Sequence, residues 1–471
     1  MVSESTLLNE PALEPLRKQL LHAALRYYQN FVHEHSDDPE LQAELAATYL
    51  RICLLTHTLD TGEDWLPAFQ KGVAIVEDRL AKGADVLGFQ GLQRGIFWMN
   101  TGVGFHVRQP DECLRAFEKT RNVWEELIRA NPTAPGLRND LALFYLVIGM
   151  LQEGRLVGIG RESRPAEAVP ALQRSCDLLQ QLIQTTPSVP YYRAMLAISL
   201  GNLGMSYAFL GQFPQAEKAG RDALETAQKL IAEFPTVAGW RDLLTGLTCW
   251  HYGWMMEHGG RLEEAVEAAR LSANGQEALS REYPTVPRFL KTTFATRRWL
   301  GQLLWELGRR TEAVEEFRHA RELGEKFNPD DPAAQNDLAW FLATAADPQF
   351  RDARRALEIA KRNTQRVSEN RKATRNYLAT LGAAYYSTGD NRAAVQALDQ
   401  AARRGPGPWG KGSVTLFFLA MAHWRLAEKD QAHKYYDAAV EQMEKHELKW
   451  AETRLLRVEA EKVLGAKEAK K

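Results

Sequence analysis

A repeat of about 48 residues constrains the fold of this chain more than any other feature of its sequence. Residue pairs that end in proline recur along it: Asp38-Pro39, Asn131-Pro132, Thr186-Pro187, Phe234-Pro235, Tyr283-Pro284 and Asn328-Pro329. From Pro132 onward, successive pairs lie 55, 48, 49 and 45 residues apart. Such a period is typical of repeat proteins, in which each unit is too small to bury a core alone and stacks on its neighbours. The sequence therefore predicts one continuous array, and not the separate domains of about 150 residues that length alone suggests.

Each unit between two prolines carries two amphipathic helices. In the unit after Pro190, one apolar face is formed by Leu196, Leu200, Leu203, Tyr207 and Leu210. These residues recur at spacings of three and four, which is the period of a helix face. Gly211 to Pro214 then breaks the helix, and a second face follows with Ala216, Ala219, Ala223, Ala227 and Leu230. The predicted unit is a helix, a turn and a second helix.

These units resemble the tetratricopeptide repeat, whose unit of about 34 residues carries a Leu-Gly pair, a Tyr and a later Ala. The matching residues are Leu203-Gly204, Tyr207 and Ala216, then Leu300-Gly301, Ala313 and Phe317, then Leu381-Gly382, Tyr385 and Ala394. The resemblance implies an all-α fold, a right-handed α-solenoid of helix-turn-helix repeats. We expect about nine helix pairs and an N-terminal helix, with the middle helices longer than in the consensus repeat.

The spacing of the repeats predicts four segments. Residues 1–38 hold an N-terminal helix, from Glu14 to about His33, that packs on the first repeat. Residues 39–370 hold the elongated helix pairs, and residues 371–461 hold two shorter repeats and a C-terminal helix. Residues 462–471, which carry four lysines and one glutamate, are expected to fray as a tail.

A second resemblance concerns the repeat region of planctomycete-type bacterial serine/threonine protein kinases. It rests on Val2-Ser3-Glu4, Leu7-Leu8, Glu10-Pro11 and Pro15-Leu16-Arg17, on Ala339-Trp340-Phe341-Leu342-Ala343-Thr344, and on Phe417-Phe418-Leu419-Ala420-Met421-Ala422-His423-Trp424. In that family the repeats follow a kinase domain and a membrane helix, so the resemblance implies a regulatory or sensory role. This sequence contains no H-R-D catalytic loop and no D-F-G motif, so no catalytic residue is carried over.

Composition excludes several other classes of function. The formal net charge of -1 argues against a nucleic-acid-binding protein, which usually shows a basic excess. No apolar run is long enough to insert into a membrane. The cysteines Cys53, Cys113, Cys176 and Cys249 are too far apart to suggest a zinc ribbon or a disulfide framework. We therefore expect a soluble chain, cytoplasmic unless it is attached to a membrane-spanning kinase.

Two short motifs suggest a cofactor or a metal, and both have a simpler interpretation. Gly405 to Gly412 partly matches a phosphate-binding loop, but glycine stands where the magnesium-binding hydroxyl belongs and no strand precedes it. A turn between helix pairs is the better interpretation. His33 and His35 are two residues apart and do not share a helix face. We predict no cofactor, no metal and no catalytic residue.

The candidate binding site is an aromatic row on the first helices. In tetratricopeptide proteins the first helix of each pair lines the concave surface, where ligand contacts cluster. Counted from the glycine of each pair, the predicted groove residues are Trp98, Phe105, Phe144, Asn202, Trp250, His251, Trp254, Arg298, Gln302, Trp305 and Asn376. Tryptophan and arginine are typical of interface hot spots, so a protein or peptide partner is predicted.

Other interpretations of this row and of the chain remain open. The aromatic residues could equally be core residues that fill the space between long helices. Arginine and glutamate pairs such as Arg297-Arg298 and Glu315-Glu316 are predicted to be solvated faces. The function predicted from the sequence is a non-catalytic protein-interaction scaffold. The alternatives are a segment of a kinase enzyme and an array that self-associates through its first helix.

Overall fold

The computed structural model describes residues 14–35, 135–153, 164–367, 374–403, 412–445 and 450–465, together with Leu45, Thr48, Tyr49, Ile52 and Lys71. Within these ranges the chain is helical and contains no strand, which confirms the predicted all-α fold class. Predictions on Trp98, Phe105 and the turn from Gly405 to Lys411 fall outside the described residues. None of the described helices is long and apolar enough to cross a membrane.

The helices that the structure describes are joined by short connections between residues 165 and 367. In chain order they are α1 (Glu14–His35), α2 (Pro135–Gln152), α3 (Pro165–Thr185), α4 (Pro190–Phe209), α5 (Phe213–Glu233), α6 (Ala238–Asp242), a π-helical segment (Leu243–Thr248), α7 (Cys249–His258), α8 (Leu262–Glu282), α9 (Pro287–Glu306), α10 (Arg310–Gly324), α11 (Pro332–Thr344), α12 (Ala353–Val367), α13 (Thr374–Thr388), α14 (Asn391–Ala402), α15 (Gly412–Arg425), α16 (Lys429–Lys445) and α17 (Ala451–Leu464). A 3-10 turn at Pro348–Phe350 joins α11 to α12.

The helices from α2 to α16 alternate as first and second members of pairs, with α6, the π-helical segment and α7 together forming one first helix. The first helices begin at residues 135, 190, 238, 287, 332, 374 and 412, so the repeat shortens from 55 residues to 38 along the chain. The described units near the C-terminus are therefore shorter than those that precede them. The chain divides into two compact units, Met1–Ser206 with Lys229–Gly239, and Tyr207–Gln228 with Trp240–Lys471.

In the first unit, small side chains allow α2 and α3 to pack closely. A Cβ on Gly149 would lie 2.5 Å from Cγ of Leu172, so this position accepts only glycine without rearrangement. The buried hydroxyl of Ser175 donates to the carbonyl of Ala142 at 2.7 Å and lies 2.9 Å from the hydroxyl of Ser199. Helix α1 buries Leu25 against Ile52.

In the second unit, glycine and alanine positions of the repeat allow the two helices of a pair to approach closely. A Cβ on Gly301 of α9 would lie 2.6 Å from the ring of Phe317 on α10, and one on Gly382 of α13 would lie 2.4 Å from Leu398 on α14. The alanines near the start of the second helices, Ala313, Ala394 and Ala432, are completely buried. Close approach of the two helices in each pair therefore explains these residue types.

A left-handed residue ends the first helix of several pairs. Gly211, Gly260, Gly308 and Gly389 have φ between 71° and 88°. Ala427 occupies the equivalent place between α15 and α16, with φ 63°. Residues with a Cβ are strained in this conformation, which is why glycine dominates at helix C-termini.

The described C-terminal end differs from the prediction in one respect. Residues 462–464, expected to belong to a frayed tail, form the last turn of α17. Leu464 is buried, and Gly465 ends the helix with φ 66°. The buried leucine explains why the helix continues past the lysine at position 462.

Candidate protein-binding surface

The C-terminal helix α17 packs against first helices of the second unit. It lies against α9 and α15 and also touches α16, and side chains at its start reach α7 and α11. First helices are where the sequence predicts the groove. The chain thus places its own C-terminal segment on part of the candidate binding surface.

An aromatic cluster receives the residue that precedes α17. The ring of Trp450 lies 6.0 Å from Trp250 and 5.7 Å from Trp254, centroid to centroid. His258 meets the same ring edge to face at 5.6 Å. Trp254 is completely buried and also contacts Phe209 at 5.5 Å. Such tilted and edge-on ring pairs are favoured by the aromatic quadrupole.

A π-helical segment sets the direction in which α7 presents these rings. It inserts one extra residue between α6 and α7, which rotates the side chains that follow by about 100°. The hydroxyl of Thr248 donates to the carbonyl of Leu243 five residues earlier at 2.8 Å. On the facing helix, the side-chain amide of Gln276 donates to Asp242 and to Thr245 at 2.8 and 3.0 Å. The segment is therefore held by polar contacts from α8.

A buried carboxylate lies beneath the aromatic cluster. Glu257 of α7 is 2 % exposed and accepts a hydrogen bond from Nε1 of Trp299 at 2.8 Å. It also accepts one from the backbone N–H of Ala451, the first residue of α17. Burial raises the pKa of Glu257 to about 7, although the nearby Arg454 favours the ionised form. The positive end of a helix dipole faces this carboxylate, which suits a negative charge.

Two more carboxylates form ion pairs at the start of α17: Glu306 of α9 and Glu452 of α17 itself. Arg454 pairs with Glu306 of α9 through two hydrogen bonds of 2.7 and 2.6 Å, and lies 3.1 Å from Glu257. On the other side of the helix, Glu452 accepts hydrogen bonds from Arg298 at 3.1 Å and from Nε1 of Trp340 at 2.6 Å. Bidentate arginine–carboxylate pairs are strong and geometrically specific.

The second half of α17 is held by a separate set of contacts. Arg351, just before α12, makes a bidentate pair with Glu459 at 2.9 and 2.7 Å. The Tyr436 hydroxyl of α16 donates to Glu461 at 2.7 Å. Leu456, Ala460 and Leu464 of the same helix are buried. Spacings of four residues give one apolar stripe.

The structure brings some of the predicted groove residues together and leaves others apart. Trp250, Trp254 and Arg298 contact the C-terminal segment, and His251 lies 5.4 Å from the ring of Trp250. Gln302 is buried on α9, and Asn376 is exposed on α13. Trp305 contacts Phe317 and stacks under the guanidinium of Arg310. In the first unit, Phe144 and Asn202 are buried, and the Asn202 amide donates to the carbonyl of Ile198 within its own helix.

Sequence reasoning missed the charged half of this surface. Glu257, Glu306 and Arg454 were not singled out, because charged residues on a helical repeat are usually solvated. One signal was available: Glu257 follows Trp254 by three residues, which places both on one face of the helix. The partner Arg454, however, is 197 residues away, and no local pattern connects the two.

The prediction of a solvated face was wrong for Arg297. Its guanidinium is buried between three helices and pairs with Glu277 of α8 at 2.6 Å and Glu316 of α10 at 2.9 Å. It also donates to Asn274 at 2.9 Å. The opposing carboxylates compensate the buried charge, and a pattern of charges along a single helix does not reveal such partners. Across the part of the chain that the structure covers, no cluster of three or more His, Cys, Asp or Glu could hold a metal ion.

Comparisons with known proteins identify the repeat type. Residues 196–233 and residues 299–323 each match a family model described as a tetratricopeptide repeat. The first segment covers most of α4 and all of α5, and the second runs from α9 into α10. No curated protein matches the chain.

The solved structures found by comparison share little sequence with this chain. BtubC (BKLC) from P. vanneervenii is 20% identical over 51% of this chain and 91% of its own, with a TM-score of 0.39. The quorum sensor NprR from B. thuringiensis is 13% identical over 80% and 96%, with a TM-score of 0.42. Rap protein complexed with Competence and Sporulation Factor is 13% identical over 91% and 98%, with a TM-score of 0.39. Similarities at this level do not identify a ligand, but the family models do identify the repeats: the chain carries tetratricopeptide repeats within a fold of successive helix pairs.

Proposed function

We propose that this protein is a non-catalytic interaction scaffold that binds a segment of a partner protein on the first helices of its second unit. The proposed surface is centred on Trp250, Trp254 and Arg298 and extends to the carboxylates Glu257 and Glu306. Tetratricopeptide repeats support this class of function, since stacked repeats present extended surfaces on which partners bind. We assign no chemical reaction to the chain.

The observation that carries the proposal is the docking of α17 itself. The surface receives a tryptophan, a helix N-terminus and an arginine through close contacts. Buried aromatic and arginine anchors surrounded by polar contacts are the usual composition of a binding hot spot. The same groups are suited to a segment of another protein that offers similar chemistry.

We further infer that the scaffold serves a phosphosignalling system, as the regulatory or sensory region of a bacterial serine/threonine kinase. This step rests on the sequence resemblance at residues 2–17, 339–344 and 417–424. A kinase domain encoded in frame before Met1 would support it. A natural translation start at Met1 with no kinase gene product associated with the chain would contradict it.

Replacement of Trp250 by alanine tests the binding surface. Trp250 is only partly buried, so its loss removes contact area at the surface with a limited effect on folding. Trp254 is unsuitable because truncation of a buried tryptophan costs about 3–5 kcal/mol of stability. We expect Trp250→Ala to lose capture of protein partners in an affinity pull-down while its melting temperature stays close to that of the wild type.

Trp424→Ala is the matched control. Trp424 is also a partly buried tryptophan on a first helix, and its ring contacts His433 and Lys429 of α16. This control is expected to capture the same partners as the wild type. Equal capture by the wild type and by both variants would contradict the proposed surface.

A further inference from the structure

The first turn of α17 and the rest of the helix are held in different ways. Trp450 and the first turn contact α7, α9 and α11 through rings, hydrogen bonds and ion pairs. The second half has its own anchors in Arg351 and Tyr436 and its own buried apolar stripe. We name Trp450, Ala451, Glu452 and Arg454 the latch. The latch and the second half of the helix therefore have separate sets of contacts.

The ion pairs of the latch fix a specific geometry and add little net stability. Both arginine side chains that pair with carboxylates at the latch keep contact with water, with exposed fractions of 18% for Arg298 and 21% for Arg454. Ion pairs removed from water gain little net stability, because desolvation offsets the Coulomb attraction. The raised pKa of Glu257 indicates the same cost at the centre of the docked surface. The ion pairs of the docked latch therefore contribute more to the specificity of docking than to its stability.

We propose that the latch is an internal competitor that occupies the binding surface until a partner helix with the same chemistry displaces it. This inference rests on the proposed function. The partner segment carries an aromatic residue at the start of a helix, a carboxylate two residues later and an arginine four residues after the aromatic. These are the positions of Trp450, Glu452 and Arg454, and each has a defined counterpart on the surface.

Each counterpart selects one feature of the partner. The rings of Trp250 and Trp254 select the aromatic residue, and Arg298 with Trp340 selects the carboxylate. Glu306 selects the arginine through a bidentate pair. Glu257 accepts the first backbone N–H, so the incoming segment must begin a helix at this point.

A labelled peptide with the sequence of residues 450–455, which carries the latch and none of the second half of α17, tests the proposal in fluorescence anisotropy titrations against the full-length chain. The variant Glu452→Ala/Arg454→Ala weakens the latch and leaves the surface intact. We expect it to bind the peptide about ten-fold more tightly than the wild type, because apparent affinity scales with the fraction of molecules whose surface is open. The same peptide with both alanine substitutions should not bind.

The control variant is Val458→Ala/Lys462→Ala, which changes two exposed residues of the same helix outside the latch and its other anchors. It should bind the peptide as weakly as the wild type does. Equal affinity for all three proteins, or no binding to the weakened latch variant, would overturn the proposal. Loss of the cooperative melting transition in that variant would also overturn it, because a competitor must be dispensable for folding.

Capture of a partner protein distinguishes failure of the latch proposal from failure of the proposed function. A partner captured equally by the wild type and by the weakened latch variant, and lost from Trp250→Ala, would overturn the latch and leave the interaction surface standing. A partner captured more strongly by the weakened latch variant than by the wild type would support both.

Discussion

At the scale of single residues, the turn between α15 and α16 contains a strained alanine. Ala427 has φ 63° where the equivalent turns of other pairs have glycine. The left-handed conformation costs an L-residue roughly 1–2 kcal/mol. The repeat thus tolerates a departure from its own pattern at this turn.

Replacement of Ala427 by glycine is expected to stabilise the chain. The relief of strain exceeds the greater entropy that glycine brings to the unfolded chain, so the net gain should be about 0.5–1 kcal/mol. Urea denaturation measures it. Gly389→Ala is the reciprocal control: a Cβ there meets no atom within 4 Å, so only the backbone conformation opposes it and a loss of stability is expected. Destabilisation by Ala427→Gly would contradict this account.

The carboxyl of Glu257 makes stability depend on pH. Its folded-state pKa of about 7 lies above the ordinary value of 4.5. Its contribution to stability is therefore complete below pH 4.5 and is lost as the pH rises through 7. The difference amounts to roughly 3 kcal/mol.

The variant Glu257→Gln tests this dependence because its amide does not titrate. We expect the melting temperature of the wild type, relative to that of Glu257→Gln, to increase as the pH falls from 8 to 5. All other titratable groups are common to the two proteins, so the comparison isolates the carboxyl of Glu257. If the melting temperatures of the two proteins changed equally with pH over this range, the pKa of the Glu257 carboxyl would not be raised in the folded protein.

At the scale of helices, the π-helical segment depends on a glycine in the facing helix. A Cβ on Gly275 of α8 would lie 2.1 Å from Cγ2 of Thr245. Thr245 itself accepts a hydrogen bond from Gln276. The π-helical segment therefore requires the glycine that faces it in α8.

Substitution of Gly275 by alanine should be destabilising, although alanine favours helices. Over-packing of a tight contact costs about 1–3 kcal/mol, which exceeds the gain of up to about 1 kcal/mol in helix propensity. Gly136→Ala in α2 is the control, because a Cβ there meets no atom within 4 Å, and it should be neutral or slightly stabilising. Thermal melting of both variants measures the contrast. An unchanged melting temperature for Gly275→Ala would mean that Thr245 moves aside freely.

Sequence periodicity predicts the helix pairs well because their determinants are local. Proline marks, the spacing of leucines and the Gly301–Phe317 type of contact lie within a single unit. The candidate surface was predicted only in part: the tryptophans and Arg298 follow from the register of the first helices. The sequence does not predict the roles of Glu257, Glu306 and Arg454. Their arrangement depends on a contact between distant parts of the chain and on the one extra residue in the π-helical segment.

At the scale of the molecule, α17 breaks the rule that each repeat contacts only its neighbours. Its side chains reach residues 108 to 197 positions earlier in the chain. In repeat proteins cooperativity arises from contacts between adjacent units. The C-terminal helix adds coupling that spans several units at once.

Removal of one anchor of α17 should reduce this coupling. We expect Glu459→Ala to lower the midpoint of urea unfolding, by about 1 kcal/mol in stability, and to lower the slope of the transition, because the bidentate pair with Arg351 is lost. Val458→Ala, at a neighbouring exposed position, is the control and should leave both quantities unchanged. Equal slopes for Glu459→Ala and the wild type would show that α17 does not add to cooperativity.

The long reach of α17 also affects the order in which the nascent chain matures on the ribosome. Domains generally fold from the N-terminus during synthesis, and each helix pair has its main contacts available soon after translation. Glu257 gains its contact with Arg454 only after almost 200 further residues have been translated. Until α17 is translated, the Glu257 carboxylate lacks its contacts with Ala451 and Arg454, and the rings beside it lack Trp450.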